Sequence, residues 1–299
     1  MPDGYLIGSD KLLARDQGLW ARDKLKFLEE YEGPALGATT KKRGDTHYLD
    51  LFAGSGLNVS VVEGGVREFP GSPIQALRAR FAGKQGERHF GGFHFGNVKP
   101  LDDWLLRRRV AAELERSGGA IPSTAVHFYC GDANQQLASM LRPIPSWAYL
   151  LVFADIEGPK DLRFETLRML KAQHQSVDLY VLYPSHMAID RLLAYDPRQR
   201  TRYRETLTAY FGTDEWLEIV RRRLTPAHYD DMYRDLRELY LSQLRGPWRH
   251  AEAVLTVTKA RTGRLYEMIF AYDHDAAGKI AKAARGRSGQ YDCFEGTRG

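Results

Sequence analysis

The stretch His47-Tyr48-Leu49-Asp50-Leu51-Phe52-Ala53-Gly54-Ser55-Gly56 constrains the fold more than any other part of this 299-residue chain. Residues 48–52 are apolar except for one acid, and a glycine-bearing loop follows. That is the pattern of a buried parallel strand running into a tight turn. Glycine permits the turn and lets a ligand lie against bare backbone. Asp50 falls near the C-terminal end of the strand, on the edge where open α/β sheets bind ligands. A carboxylate inside an apolar strand is costly unless donors surround it. Loop amides or a ligand ammonium group would supply them. On these ten residues alone, an ordinary strand-turn without a ligand is an equal reading.

The loop lacks the third glycine of the dinucleotide fingerprint and the Gly-Lys-Ser/Thr of a phosphate-binding loop. This argues against a nicotinamide enzyme and against an NTPase. The string Leu49-Asp50-Leu51-Phe52-Ala53-Gly54-Ser55-Gly56 resembles motif I of class I S-adenosylmethionine (SAM) methyltransferases.

Strand and helix patterns alternate downstream. Helical spacing over residues 19–31 is closed by Gly33-Pro34. Residues 57–71 are glycine-rich and read as an extended excursion, with a hairpin of 58–62 and 66–69 about Gly64-Gly65. Ser72-Pro73 opens a helix to about residue 82, with Ser72 as cap and Pro73 at the first helical position. Strands follow at 89–95, 125–129, 149–154 and 177–183, separated by helices at 101–116, 132–141 and 164–172. Helical periodicity fills residues 185–244. It could cap the cleft or form a lateral layer, and the pattern favours neither. Strands at 253–258 and 265–271 flank the turn Arg261-Thr262-Gly263.

The fold class predicted is α/β: a Rossmann-like sheet of seven strands with a final antiparallel hairpin, plus a helical insertion. The divisions are residues 1–45, an N-terminal helical extension; 46–184, the core; 185–250, the insertion; 251–284, a hairpin and helix completing the core; and 285–299, a flexible tail.

Three acids fall at strand C-termini, Asp50, Asp132 and Asp155, and in a parallel sheet these ends share one edge. Asp132, in Cys130-Gly131-Asp132-Ala133, suits both a helix cap and an acceptor for an adenine amine. Asp155-Ile156-Glu157-Gly158-Pro159 follows the fourth strand, where an active-site loop belongs. Methyl transfer is an in-line displacement, and a base is needed only if the nucleophile carries a proton to lose. Asp155 is the first candidate base and Glu157 the second; a loop acid pair capping the next helix is the competing reading. Lys24 is a candidate to reach the cleft, although a solvated lysine is the commoner case.

His94 and His186 lack metal-ligand spacing, so no metal is predicted. No Gly-x-Ser-x-Gly occurs, and Cys130 has no neighbouring His, so covalent catalysis lacks support. Two cysteines make no disulfide framework. No apolar run is long enough for a membrane span, and no secretory pattern opens the chain. These features predict a cytoplasmic protein. The net charge of +5 permits an anionic partner. Arg107-Arg108-Arg109 and Arg221-Arg222-Arg223 lie in helical segments and read as solvated faces.

The residues together resemble the three-Cys-motif partner protein (TcmP) family. The resemblance is carried by Trp20, Lys24 and Tyr31, the Tyr48–Gly56 stretch, and Gly71-Ser72-Pro73. It continues through Gly131-Asp132-Ala133, Phe153-Ala154-Asp155, Val177-Asp178-Leu179 and Leu265-Tyr266-Glu267-Met268-Ile269-Phe270-Ala271. It implies a class I methyltransferase-like fold and SAM held by Asp50, Phe52, Gly54, Ser55, Gly56, Asn97, Asp132 and Ala133. It also implies a partner with a three-cysteine, radical-SAM-like motif. Two departures stand out. The family looks to carry an acid after the second strand, where this chain reads Phe95-Gly96-Asn97. It looks to carry Asp-Pro-Tyr-Gly after the fourth, where this chain reads Asp155-Ile156-Glu157-Gly158. The leading expectation is a methyltransferase of unidentified acceptor, a nucleic acid or nucleotide being one class. The alternative is a degenerate methyltransferase fold serving as a non-catalytic partner.

Overall fold

A computed structural model describes residues 3–39, 45–84, 86–189, 192–193, 197–222, 229–259 and 263–288. Among these residues a seven-stranded sheet forms the centre. Its strands are β3 (Thr46–Asp50), β8 (Gly92–Asn97), β9 (Val126–Cys130), β10 (Tyr149–Ala154), β11 (Ser176–Tyr183), β12 (His250–Lys259) and β13 (Gly263–Tyr272). The order is β12-β13-β11-β10-β3-β8-β9. β9, β8, β3, β10 and β11 are mutually parallel, while β13 runs antiparallel to both β11 and β12. This is the seven-stranded arrangement expected from the sequence. Of the expected turn, Arg261 and Thr262 lie outside the described residues.

Every residue of β3, β8, β10 and β11 is buried. Strands of that kind need a helical layer on each face. One layer joins α1 (Trp20–Thr39), α2 (Ser72–Arg78), α3 (Pro100–Arg116) and α9 (Asp275–Ser288). The other joins α4 (Ala133–Leu141) and α5 (Phe164–Gln173) with α6 (Pro197–Phe211), α7 (Trp216–Arg222) and α8 (Tyr229–Leu244). Among the described residues no helix is long and apolar enough to cross a membrane.

Several local expectations are corrected. Helix α1 does not stop at Gly33-Pro34 but runs through Pro34 to Thr39. Proline has no N–H to give the carbonyl four residues back. That carbonyl belongs to Glu30, and it accepts from Arg287 of α9 at 3.2 Å, with a second bond from Arg287 to the Glu30 carboxylate at 2.6 Å. A tertiary donor therefore replaces the missing local one. Arg287 also shows that residues 285–288, assigned to a tail, complete α9; residues 289–299 lie outside the described residues.

Residues 1–45 hold strands as well as a helix. β1 (Tyr5–Ile7) and β2 (Leu13–Asp16) join β4 (Leu57–Val62) and β5 (Gly65–Pro70) in a sheet ordered β1-β2-β4-β5. β4 and β5 are the expected excursion hairpin, and β2 pairs with β4 in parallel. Helix α2 ends at Arg78, and β6 (Phe81–Gly83) with β7 (Gly86–Arg88) forms a small ribbon before β8. Buried Asp178 on β11 accepts from Tyr31 of α1 at 2.6 Å and Tyr149 of β10 at 2.7 Å, which fastens α1 to the sheet.

Three histidines lie together on adjacent strands. His47 Nδ1 is 3.2 Å from His94 Nε2, and the His94 and His127 rings stack at 4.9 Å. Burial, with the neighbouring histidines adding to it, pushes His94 from 6.5 down to about 3. The fold therefore refuses a proton that the unfolded chain accepts. Stability from this group is complete above about pH 6.5 and is lost as pH falls toward 3. Relative to His94→Gln, the wild type should lose about 1.4 kcal/mol per pH unit across that window. Urea unfolding of both proteins at several pH values between neutrality and pH 5 checks this. A stability difference independent of pH would contradict it.

Candidate functional site

The C-terminal ends of β3, β8, β9 and β10 open on a cavity of about 950 Å³. Its floor is the loop after β3, where Gly54 and Gly56 take φ of 62° and 81°. A side chain at either would be strained in that conformation. Gly71, at the start of α2, donates to the Gly56 carbonyl at 2.9 Å, so the excursion returns the chain against the loop it left.

Asp50 does not line this cavity. It is fully buried beneath the loop and accepts from Phe52 N at 3.1 Å, Ser72 Oγ at 2.6 Å and, weakly, Tyr48 Oη at 3.4 Å. Ser72 is thus not the cap of α2. Gly71 occupies that position, and the Ser72 hydroxyl goes to the buried carboxylate instead, a stronger, charge-assisted acceptor than a helix amide is a donor. Burial still lifts the Asp50 carboxyl to about 7, against the hydrogen bonds that lower it.

The other residues singled out from the sequence do converge. Phe52, Gly54, Ser55, Gly56, Asn97, Asp132, Ala133, Asp155 and Glu157 all line the cavity. Asp132 caps α4, its Oδ1 accepting from Asn134 N at 2.7 Å, and faces the cavity as well. Asn97 spends its amide on the Gly54 carbonyl at 3.0 Å, so it braces the glycine loop. Asp155 is ion-paired with Lys24, a buried lysine of α1 whose ammonium also lies 5.7 Å from the Tyr266 ring centroid. Lys24 therefore does reach the cleft. Glu157 is largely exposed, and its nearest cation is Arg15 at 3.5 Å.

The sequence reading missed the contribution of the N-terminal strands. Arg15 of β2 lines the cavity and pairs with buried Asp102 at 2.7 Å, and Tyr5 of β1 donates to the same carboxylate at 2.7 Å. It also missed Arg109. Far from a solvated face, Arg109 is buried, donating to the Ser55 carbonyl at 2.7 Å, the Leu13 carbonyl at 2.9 Å and the Asp10 carboxylate at 2.7 Å. The run of three arginines does not by itself say which one turns inward; the apolar neighbours at helical spacing do. From the insertion, Ala188, Leu192, Tyr203 and Thr206 line the cavity, while α8 holds β13 through Arg237 to Glu267 at 3.1 Å. The segment thus does both things that its periodicity allowed. Among the described residues no group of three or more His, Cys, Asp or Glu could hold a metal ion.

A cavity at the carboxyl ends of parallel strands, beside a glycine loop and a capped helix, sits in a sheet whose one reversed inner strand is β13. The fold is α/β, a mostly parallel seven-stranded sheet with helices on both faces. No family model matches the chain, and no curated protein matches it. Among solved structures it is similar to protein LPL1258 of Legionella pneumophila, described with family-model DUF519, at 11% identity and a TM-score of 0.47, covering 91% of this chain and 92% of that one. It is similar to YjhP of E. coli at 14% identity and a TM-score of 0.29, covering 84% and 99%. It is also similar to a SAM-dependent methyltransferase from Thiobacillus denitrificans in complex with S-adenosyl-L-homocysteine, at 15% identity and a TM-score of 0.30, covering 84% and 96%.

Two stability outcomes follow from the site's geometry. Because the folded pKa of Asp50 is raised, its contribution is greatest below about pH 3.8 and is lost as pH rises through about 7. Asp50→Asn removes this titration, so the variant should gain on the wild type by about 1.4 kcal/mol per unit over that window. A stability difference between the two that does not change with pH over the window would contradict it. Arg109→Ala strands two carbonyls and a carboxylate. It should cost about 2–4 kcal/mol by chemical denaturation; a loss within about 0.5 kcal/mol would show that the network carries little.

Proposed function

We propose that this chain is a SAM-dependent methyltransferase. The observation that carries the reading is the convergence, on one cavity, of the glycine loop, the Asp132 cap and the Asp155 loop. In this reading Gly54, Ser55 and Gly56 present backbone to the amino-acid end of SAM, with Phe52 beside them and Asp50 shaping the loop from beneath. Asp132 and Ala133 would hold the adenine end, Asp132 as acceptor for its amine, and Asn97 would hold the loop open for the ribose. SAM supplies an electrophilic methyl group. The chain's own residues bind it, align it and exclude water, which is where most of the acceleration of such a displacement comes from.

Asp155 stands at the acceptor side. The ammonium of Lys24 fixes its carboxylate there, so the base does not swing away from an incoming nucleophile. Glu157, exposed and weakly held, is the second candidate. Arg15, Lys24, Lys99 and Lys160 share the cavity wall with Asp102, Asp132, Asp155, Glu157 and Asp161, so the wall is mixed in charge, and a nucleic acid or nucleotide is the acceptor class proposed.

The second reading is a degenerate member of the TcmP family, working as a non-catalytic partner of a cytoplasmic three-cysteine-motif protein. Two observations favour it: Asn97 is committed to the Gly54 carbonyl, and Asp155 is already neutralised by Lys24.

Transfer of labelled methyl from SAM to RNA, DNA and nucleotide acceptors separates the two. Asp155→Asn should lower kcat by about two to four decades while SAM affinity stays within about threefold, the signature of a group acting in the transition state. Glu157→Gln should have a small effect. Equal loss of affinity and rate in Asp155→Asn would make it a binding residue. A wild-type protein that transfers methyl to none of these acceptors would favour the partner reading.

A further inference from the structure

A second cavity of about 750 Å³ lies on the other side of α2, walled by α1, β5 and α2. It shares no residue with the first. Glu32 of α1 lines it at 1% exposure, and its Oε1 has no hydrogen-bond partner among the described residues. Gln75 of α2 also lines it, and the buried Oε1 of that side chain is likewise without a donor. Both oxygens are closed to solvent at the cavity wall, and buried acceptors that the described residues do not serve are costly to keep unless a ligand donates to them. Burial, with Glu29 and Asp50 nearby, pushes the Glu32 carboxyl well above the ordinary carboxylate range, so the acid must give up its proton to accept from a ligand.

The rest of the lining is mixed but more basic than acidic, with Glu29 and Glu68 beside Arg22, Lys26, Arg67, Arg78 and Arg80. Arg22 of α1 and Arg67 of β5 are exposed there. Arg78 is anchored to Glu113 by two bonds of 2.9 Å, and Arg80 to the Leu77 and Ala79 carbonyls. Phe69 and Pro70 give the wall an apolar face between mouth and floor. A ligand matched to this arrangement is flat, offers two N–H donors at one end and carries an anion at the other. Its size suits a volume within the usual range for ligand pockets.

We propose that this cavity binds a guanine nucleotide, with the N1–H and exocyclic amine of the base toward Glu32 and Gln75 and the phosphate toward Arg22 and Arg67. Guanine is the nucleobase whose pairing edge carries two adjacent donors. Adenine offers one donor and one acceptor there, which leaves one protein oxygen facing a ligand nitrogen lone pair. Helix α2 links the two cavities, carrying Ser72 to Asp50 at its start and Gln75 one turn on.

Calorimetric titration of the full chain with GMP, guanosine and AMP tests this. GMP should bind at least about tenfold more tightly than AMP. Glu32→Gln keeps the shape but places an amide donor among the base's donors, and should weaken GMP by about tenfold or more, with a melting curve showing the fold intact. Arg67→Ala, at an exposed strand position, should weaken GMP by several-fold and leave guanosine unchanged. Absence of GMP binding, equal affinity for AMP and GMP, or Glu32→Gln binding GMP like the wild type would each overturn the proposal. So would GMP binding that survives Glu32→Gln but is lost in Asp132→Ala, since the nucleotide would then sit in the first cavity. None of these outcomes depends on SAM being bound or transferred.

Discussion

Asp50 is a carboxylate buried without an ion-pair partner among the described residues, and much of the site's geometry depends on how its two oxygens are served. One accepts from the amide of Phe52 and so bends the chain into the glycine loop; the other takes the hydroxyl of Ser72. Between these donors runs the whole β4–β5 excursion, which must return with Gly71 against Gly56 for Ser72 to arrive. One side chain thereby couples the end of β3, the loop and the first turn of α2. The raised pKa of Asp50 shows that these bonds do not fully offset desolvation.

Ion pairs from the N-terminal residues complete the cavity. Arg15 closes on Asp102, Lys24 on Asp155, and Asp10 with the Leu13 carbonyl on Arg109, which also holds the Ser55 carbonyl of the loop. Each joins residues far apart in the chain, so the cavity exists only once β1, β2 and α1 have docked on the sheet. These pairs are largely withdrawn from solvent, where removing one partner leaves an uncompensated charge. The insertion adds the remaining wall, and the buried pair of Arg237 with Glu267 fixes α8 to the sheet that presents it.

The sheet was legible in the sequence because its signal is local: apolar runs broken by helices at regular intervals, then two strands about a turn. The convergence of Asp132 and Asp155 on one edge follows from parallel topology. What was not legible depends on partners distant in sequence. Ser72 reads as a cap until a buried carboxylate is placed beside it. Pro34 reads as a helix stop until Arg287 supplies the donor that proline lacks. Strands of three and four residues, β1 and β2, form only by pairing with each other and with β4. Asn97 looked like a ribose ligand by position, yet its amide reaches back to Gly54. The signal that could have found Arg109 is the mismatch between an arginine and the buried face on which Leu105, Leu106 and Val110 lie.

The central claim is that the cavity above the Asp50 loop is built for SAM, and it is tested most directly by calorimetric titration of the purified chain with S-adenosylhomocysteine. The account predicts one molecule bound per chain, with affinity lost in Asp132→Ala but not in the exposed Glu157→Gln. No measurable binding to a folded wild-type protein, or binding that Asp132→Ala leaves untouched, would contradict it.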